Sequence, residues 1–249
     1  MYKITGKTDR GKSRKNNEDT FVVQTIWDHR HILGVAIDGV GGYDGGERAS
    51  EIAKETIVAC LEKHPQGECL DLLKQAVVEA NNNIVKERNK TWKYPHMSCV
   101  LTACLVEVEK KRIHMVHVGD ARLYQYHHDE LKKLSHDHSL VGYREEIGNL
   151  SEKEAMRHPQ RNIIDRLLGD EMHRMDDPDF LETATFPLLP NTTLLLCTDG
   201  LSDMITSSTI ASVLQRHIPL EDKSHELIRL ANAKGGKDNI TVVLIECSE

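Results

Sequence analysis

The chain has 249 residues, 39% of them hydrophobic, enough to bury one large mixed α/β core, so a single domain over residues 1–249 is expected. A formal net charge of -7 argues against a nucleic-acid binder built around a basic patch. No stretch approaches the ~18 uninterrupted apolar residues of a membrane span, and Met1 to Arg14 lacks an apolar signal core, so a soluble, cytoplasmic chain with no nucleic-acid or membrane partner is expected.

Strand-like runs come first. Thr20 to Trp27 and His31 to Asp38 are rich in β-branched and apolar residues and are joined by Asp28-His29-Arg30, the pattern of a hairpin. Two helices follow, one with Ala49, Ile52, Ala53, Ile57, Cys60 and Leu61 on a single face, the next with Leu70, Leu73, Val77, Ala80 and Ile84. The break between them falls at His64-Pro65-Gln66-Gly67. After Trp92-Lys93-Tyr94-Pro95, the runs Cys99 to Val108, Arg112 to Val118 and Arg122 to Tyr126 predict a second antiparallel meander. From about 135 to 179 the chain is polar and charged without a clean period, long enough to be a functional excursion with short helices. Leu194 to Thr198 then reads as a buried strand, Ser208 to Gln215 and Lys223 to Ala233 as helices, and Asn239 to Glu246 as a final strand. Hairpin strands with helices in two blocks predict an α+β fold of antiparallel sheets covered by helices. The six cysteines, Cys60, Cys69, Cys99, Cys104, Cys197 and Cys247, contain no CxxC pair, and neither their spacing nor the domain size calls for a zinc or disulfide staple. They are expected to be reduced and buried.

Four acids sit at strand ends. Asp38 closes Gly34-Val35-Ala36-Ile37 and precedes Gly39-Val40-Gly41-Gly42; Asp199 ends Leu194 to Thr198 and precedes Gly200; Asp238 follows Gly235-Gly236-Lys237; Glu18-Asp19 precedes a strand. One Asp-Gly alone is an ordinary turn. Four in related settings point to a hard, oxygen-seeking cation such as Mg²⁺ or Mn²⁺, because an ionised carboxylate at the end of a buried strand is costly without positive compensation. A nucleotide-binding loop fits poorly: Asp44 stands where the dinucleotide fingerprint wants its third glycine, and Asp38 would repel a phosphate.

These segments resemble the protein phosphatase 2C, or metal-dependent protein phosphatase, family, particularly its compact bacterial members. The similarity runs nearly end to end through Thr8-Asp9-Arg10-Gly11 to Arg14 and Asn17-Glu18-Asp19, Ile37 to Gly42 with Gly46-Glu47 and Ala49-Ser50, Val118-Gly119-Asp120-Ala121-Arg122, Cys197 to Asp203, and Gly236 to Val243. The resemblance implies a four-layer αββα sandwich of two antiparallel sheets with a binuclear Mn²⁺ or Mg²⁺ centre at one end. It implies that Asp38 bridges both ions and the Gly39 carbonyl binds one, that Asp199 and Asp238 hold one ion, and that Asp19, helped by Glu18, anchors the other through water. Asp120 with Asp199 would hold a third, weaker ion, Asp203 would lie in the outer shell, and Arg14 would grip the phosphate. The implied activity is hydrolysis of phosphoserine or phosphothreonine on proteins, with two cations activating a shared water for in-line attack on phosphorus. The partners so implied are phosphorylated proteins and a cognate serine/threonine kinase, the chain acting as a monomer.

Some positions depart from the pattern. Val40 stands where many relatives carry a proton-donating histidine, and Met97-Ser98-Cys99-Val100-Leu101 lacks the two hydroxyls common in bacterial relatives. His136-Asp137-His138 looks like a metal triplet but matches the block leading into the family's flap, which 135–179 would form. His158 within it is a candidate proton donor. Two other classes compete: a catalytically idle relative that senses ligands or binds partners, against which the retained aspartates speak, and an acidic calcium-binding domain, which would need no phosphate grip.

Overall fold

Strands whose two faces are both apolar must be covered on both sides, and that requirement sets the architecture. The computed structural model describes residues 1–27, 29–40, 45–90 and 93–248. Asp28 and Trp92 of two expected connections, and Gly41, Gly42 and Asp44 of the glycine-rich run, lie outside the described residues. The strands are β1 (Tyr2–Asp9), β2 (Thr20–Ile26), β3 (His31–Val40), β4 (Ser98–Glu107), β5 (Arg112–Val118), β6 (Arg122–His127), β7 (Glu130–Lys133), β8 (Glu182–Pro187), β9 (Thr192–Cys197) and β10 (Ile240–Cys247). The helices are α1 (Gly45–Lys63), α2 (Cys69–Lys90), α3 (Leu140–Glu146), α4 (Glu152–Ala155), α5 (Asp199–Ser202), α6 (Ser207–Leu214) and α7 (Leu220–Ala233). Two antiparallel sheets result, in the orders β1-β10-β9-β6-β7 and β2-β3-β4-β5-β8.

The period of two along a strand assigns each residue to a layer. In β9 and β10, Leu194, Leu196, Val243 and Ile245 meet Ile32, Ala36, Cys104 and Met115 between the sheets. Their neighbours Leu195, Cys197, Val242 and Leu244 pack instead under Ile210, Leu214, Leu227 and Ile228 of α6 and α7. On the opposite side Leu33, Val35, Ile37, Leu101 and Leu105 lie under Ile57, Leu61, Leu73 and Ile84 of α1 and α2. The result is the four-layer αββα sandwich. Among the described residues no helix is long and apolar enough to cross a membrane, and the six cysteines are free and buried.

The expected second meander is corrected in two ways. β4 pairs with β3, so the first hairpin and the following strands make one sheet, and β6 leaves that sheet to pair with β7 and β9. The exchange happens at Gly119, whose φ of 100° suits glycine and whose added Cβ would lie 2.3 Å from Val100 Cβ. Three edge strands, β1, β7 and β8, lie outside the sequence expectation because none has a fully buried residue to mark an apolar face. The 135–179 excursion holds α3 and α4, is tied to β4 by the bridge Cys99 to Leu168, and is closed on itself by the bridge Ser139 to Ile164.

Leu196, 0% exposed between the sheets, reports on this packing. Leu196→Ala is expected to cost about 3 kcal/mol and lower the thermal midpoint by roughly 6–12 °C, whereas exposed Leu140→Ala should stay within about 0.5 kcal/mol; chemical denaturation of both variants measures the contrast.

Candidate metal centre

Strand register brings the acids to one end of the sandwich. Thr20 opposes Ile37, so Asp19 and Asp38 emerge together from β2 and β3. Cys197 opposes both Val242 and Arg122, which sets Asp199, Asp238 and Asp120 side by side at the ends of β9, β10 and β5. Asp38 lies against Val100 and Val118 against Leu101, so β3, β4 and β5 of one sheet end together beside Asp38 and Asp120.

The chain from 10 to 18, which carries Arg14 and Glu18, forms no regular element and is stapled by Asn239. Asn239 Oδ1 accepts the Glu18 N–H at 2.8 Å, and its Nδ2 donates to the Arg10 and Asn16 carbonyls at 2.9 Å each. The Lys12 and Ser13 N–H groups donate to the Gly236 carbonyl at 2.8 and 3.1 Å. One asparagine thus docks the first loop onto the last. Ser50 Oγ of α1 donates to the Glu18 carbonyl at 2.7 Å. A Cβ on Gly39 would fall 2.4 Å from the Gly46 carbonyl and 2.6 Å from that of Glu18, so only glycine lets these three backbones meet.

Asp19 is held from both central strands of its neighbouring sheet: Thr198 Oγ1 and Thr241 Oγ1 donate to its Oδ2 at 2.7 and 2.8 Å. Asp238 Oδ1 accepts its following N–H, while Oδ2 receives Arg14 at 2.6 Å. Burial, then repulsion from Asp19, Asp199, Asp120 and Asp238, drives Asp38 well above the usual carboxylate range. Asp199 is raised in the same way by burial and then by Asp120 and Asp203. Burial, moderated by the two threonines, lifts Asp19 to about 7, and burial with Asp137 and Asp203 lifts Asp120 to about 7. Asp199 Oδ1 is buried with no hydrogen-bond partner. An orphaned carboxylate oxygen among crowded acids is what a hard divalent cation satisfies, and an all-oxygen donor set suits Mg²⁺ or Mn²⁺. The residues fit the cation.

Beside the acids lies a narrow cleft walled by Asp120, Asp199, Asp203, Arg122, Met156 and Arg161. Arg161 Nε donates to Asp203 Oδ2 at 2.6 Å, which ties the flap to α5. Arg122 grips Asp137 through Nε at 3.0 Å and Nη2 at 2.6 Å, and reaches Glu145 at 3.2 Å. Asp137, although buried, is thereby held below its usual range by Arg122 and Lys133. His136, Asp137 and His138 turn to separate partners, namely Glu182, Arg122 and the Gly119 N–H, and so do not form one triplet. His158 sits beyond α4, half-buried, its Nδ1 accepting from the Gln160 N–H at 3.2 Å. From that stretch Met156 and Arg161 reach the cleft. The stapling role of Asn239 and the Arg161 to Asp203 latch went unread; Asn239 lies inside the motif around Asp238, whereas Arg161 gave no signal of its partner.

The crowding has a measurable sign. Aspartate titrates near 3.9 in an unfolded chain, and Asp19 and Asp120 titrate at about 7 when folded. Groups raised in this way leave stability intact below the unfolded value and remove it as pH rises through the folded one. Chelator-treated protein should therefore have a lower thermal midpoint at about pH 8 than at about pH 5, and Mn²⁺ should raise the midpoint more at the higher pH; a midpoint in chelator that does not fall over that interval would count against the cluster.

The protein phosphatase 2C family model matches residues 8–241. The serine/threonine phosphatase stp of Listeria welshimeri is 34% identical over 248 residues, covering 96% of this chain and 94% of its own. Among solved structures, the Streptococcus agalactiae serine/threonine phosphatase superposes with a TM-score of 0.87 at 30% identity, covering 100% of both chains. The catalytic domain of the serine threonine protein phosphatase PstP, in complex with 2 manganese ions, gives 0.84 at 30% identity, covering 100% of this chain and 99% of that one. With sequence, topology and the crowded acids in agreement over almost the whole length, the chain belongs to the protein phosphatase 2C family.

Proposed function

We propose that the chain, acting as one catalytic domain over residues 1–249, is a metal-dependent phosphatase that hydrolyses phosphoserine and phosphothreonine on proteins. The observation that carries this reading is the convergence of Asp19, Asp38, Asp120, Asp199 and Asp238 around an orphaned Asp199 oxygen, with Arg14 at the rim. Relatives named as serine/threonine phosphatases support the choice of substrate. Asp38, Asp199, Asp238 and the Gly39 carbonyl would hold two divalent cations, Mn²⁺ or Mg²⁺, with Glu18 and Asp19 anchoring from outside and Asp120 serving a third, weaker ion. When bound, the cations supply Lewis acidity that lowers the pKa of water and offsets phosphoryl charge.

The chain's own groups do the remaining work. Arg14 is half exposed, and its bond to Asp238 fixes the guanidinium fork beside the acids, where further N–H donors can take two phosphoryl oxygens. That grip strengthens as charge builds on the oxygens in the transition state. The threonine pair holds Asp19 in one orientation, so the site is pre-organised before substrate arrives. Val40 carries no transferable proton; solvent in the cleft, or His158 after movement of the flap, protonates the leaving oxygen. Arg161 on Asp203 sets how far that flap stands from the acids. A serine/threonine kinase of the same cell is the opposing partner, and the chain works as a cytoplasmic monomer.

An idle, ligand-sensing relative is the competing reading, and kinetics separate the two. Purified protein with Mn²⁺ is expected to hydrolyse a phosphothreonine peptide, and Asp38→Asn or Asp199→Asn should lower kcat by about 10²-fold or more. Arg14→Ala should lower kcat/KM by roughly 10–100-fold while leaving Mn²⁺ affinity nearly unchanged. Turnover that persists in chelator, or full activity in both aspartate variants, would overturn the proposal.

A further inference from the structure

At the end of the sandwich away from the acids, three different donor atoms converge. His31 opens β3, Glu107 closes β4 directly opposite it, and Cys69 is the first residue of α2. The ligand atoms of the three all lie within 4.8 Å of one another. His31 and Asp38 stand seven residues apart on one strand, so this cluster is about 23 Å from the acids.

The details favour an ion over a packed core. His31 Nε2 lies 3.8 Å from Glu107 Oε1, while its Nδ1 is buried with no hydrogen-bond partner. The Trp27 ring, edge-on at 4.9 Å, covers the imidazole. Glu107 Oε2 lies 3.4 Å from His114 Nε2, and His114 Nδ1 is 3.1 Å from Thr185 Oγ1. That chain fixes the carboxylate from behind, as outer partners do for metal ligands. Lys110 Nζ sits 2.8 Å from Glu107 Oε1, but its side chain is 60% exposed and can withdraw to solvent. Cys69 is buried at the first turn of a 22-residue helix, where burial and the nearby Glu107 push its thiol up to about 11, so the sulfur rests protonated until a cation displaces the proton.

We propose that His31, Cys69 and Glu107 form a second cation site, selective for Zn²⁺ and ions of similar softness. A tetrahedral shell with bonds of roughly 2.0–2.3 Å would draw the three donors to ~3.5 Å from one another, with water as the fourth ligand. On binding, the Cys69 thiol gives its proton to solvent, His31 ligates through one unprotonated nitrogen, and Glu107 exchanges Lys110 for the ion. Sulfur separates the two sites chemically, because Mg²⁺ and Mn²⁺ prefer the all-oxygen aspartate cluster. The bound ion fastens the start of α2 to the ends of β3 and β4. Cys69 therefore departs from the expectation that no cysteine serves a metal.

Co²⁺ titration of the full, chelator-stripped chain under reducing conditions tests this, since a thiolate-to-Co²⁺ charge-transfer band cannot arise at the aspartates. The band is expected to saturate at about one thiolate-bound ion per chain, to be displaced by Zn²⁺ but not by Mg²⁺, and to persist in Asp38→Asn. Cys69→Ser should abolish it, and Glu107→Gln should weaken Co²⁺ affinity by about 10-fold or more, with circular dichroism showing that each variant keeps its fold. Absence of the band in the unmodified chain, or its survival in Cys69→Ser, overturns the proposal; if Cys69→Ser does not fold, unchanged affinity in Glu107→Gln does so.

Discussion

Repulsion among aspartates crowded at one end of the sandwich is the constraint on which the rest of the site depends. Asp38 and Asp199 each face several other carboxylates in partly dehydrated surroundings, and both are pushed well above their ordinary range. Like charges so placed are unfavourable in the protein alone and become favourable when a divalent cation lies among them. The fold must therefore hold the acids in position against their own repulsion. Stability given up here is recovered in the three apolar layers, whose central strands β4, β9 and β10 are buried on both faces.

The holding is done by neutral groups around Asp19 and Glu18, by Arg14 on Asp238 at the rim, and by two ion pairs further out. Thr198 and Thr241 donate to Asp19, and Asn239 gathers Arg10, Asn16 and Glu18, so hydroxyls and an amide orient the metal side without adding charge. Arg122, buried beside Asp120, directs its charge to Asp137 and Glu145 and thereby fixes the root of the flap. Arg161 on Asp203 fixes the flap further along. Positive charge thus meets the acids at the rim, through Arg14 on Asp238 and Arg161 on Asp203.

The two ends of β3 follow different ligand chemistry. Its last residues bring Asp38 and Gly39, with hard oxygens only, to the aspartate cluster, whereas His31 at its start meets the sulfur of Cys69 and the carboxylate of Glu107. One sheet can keep two ions apart by donor type and by the length of a strand.

By itself the sequence determined the strands with continuous apolar runs, the two long helices, the acids at strand ends and, through ordered motifs, the family and its αββα fold. Asp38 and Asp199 were legible because a carboxylate that closes a buried apolar run is costly unless a cation compensates it. The sheet exchange at Gly119 was not legible, since local pattern gives a strand but not its partner, and β6 pairs with β9 some seventy residues on. Nor were β1, β7 and β8, for β1 is partly buried along nearly its whole length without alternation, and β7 and β8 have only four and six residues and no fully buried one to mark an apolar face. The Asn239 staple, the Arg161 latch and the meeting of His31, Cys69 and Glu107 join residues remote in the chain, and only tertiary structure decides which side chains of distant elements share a few ångströms.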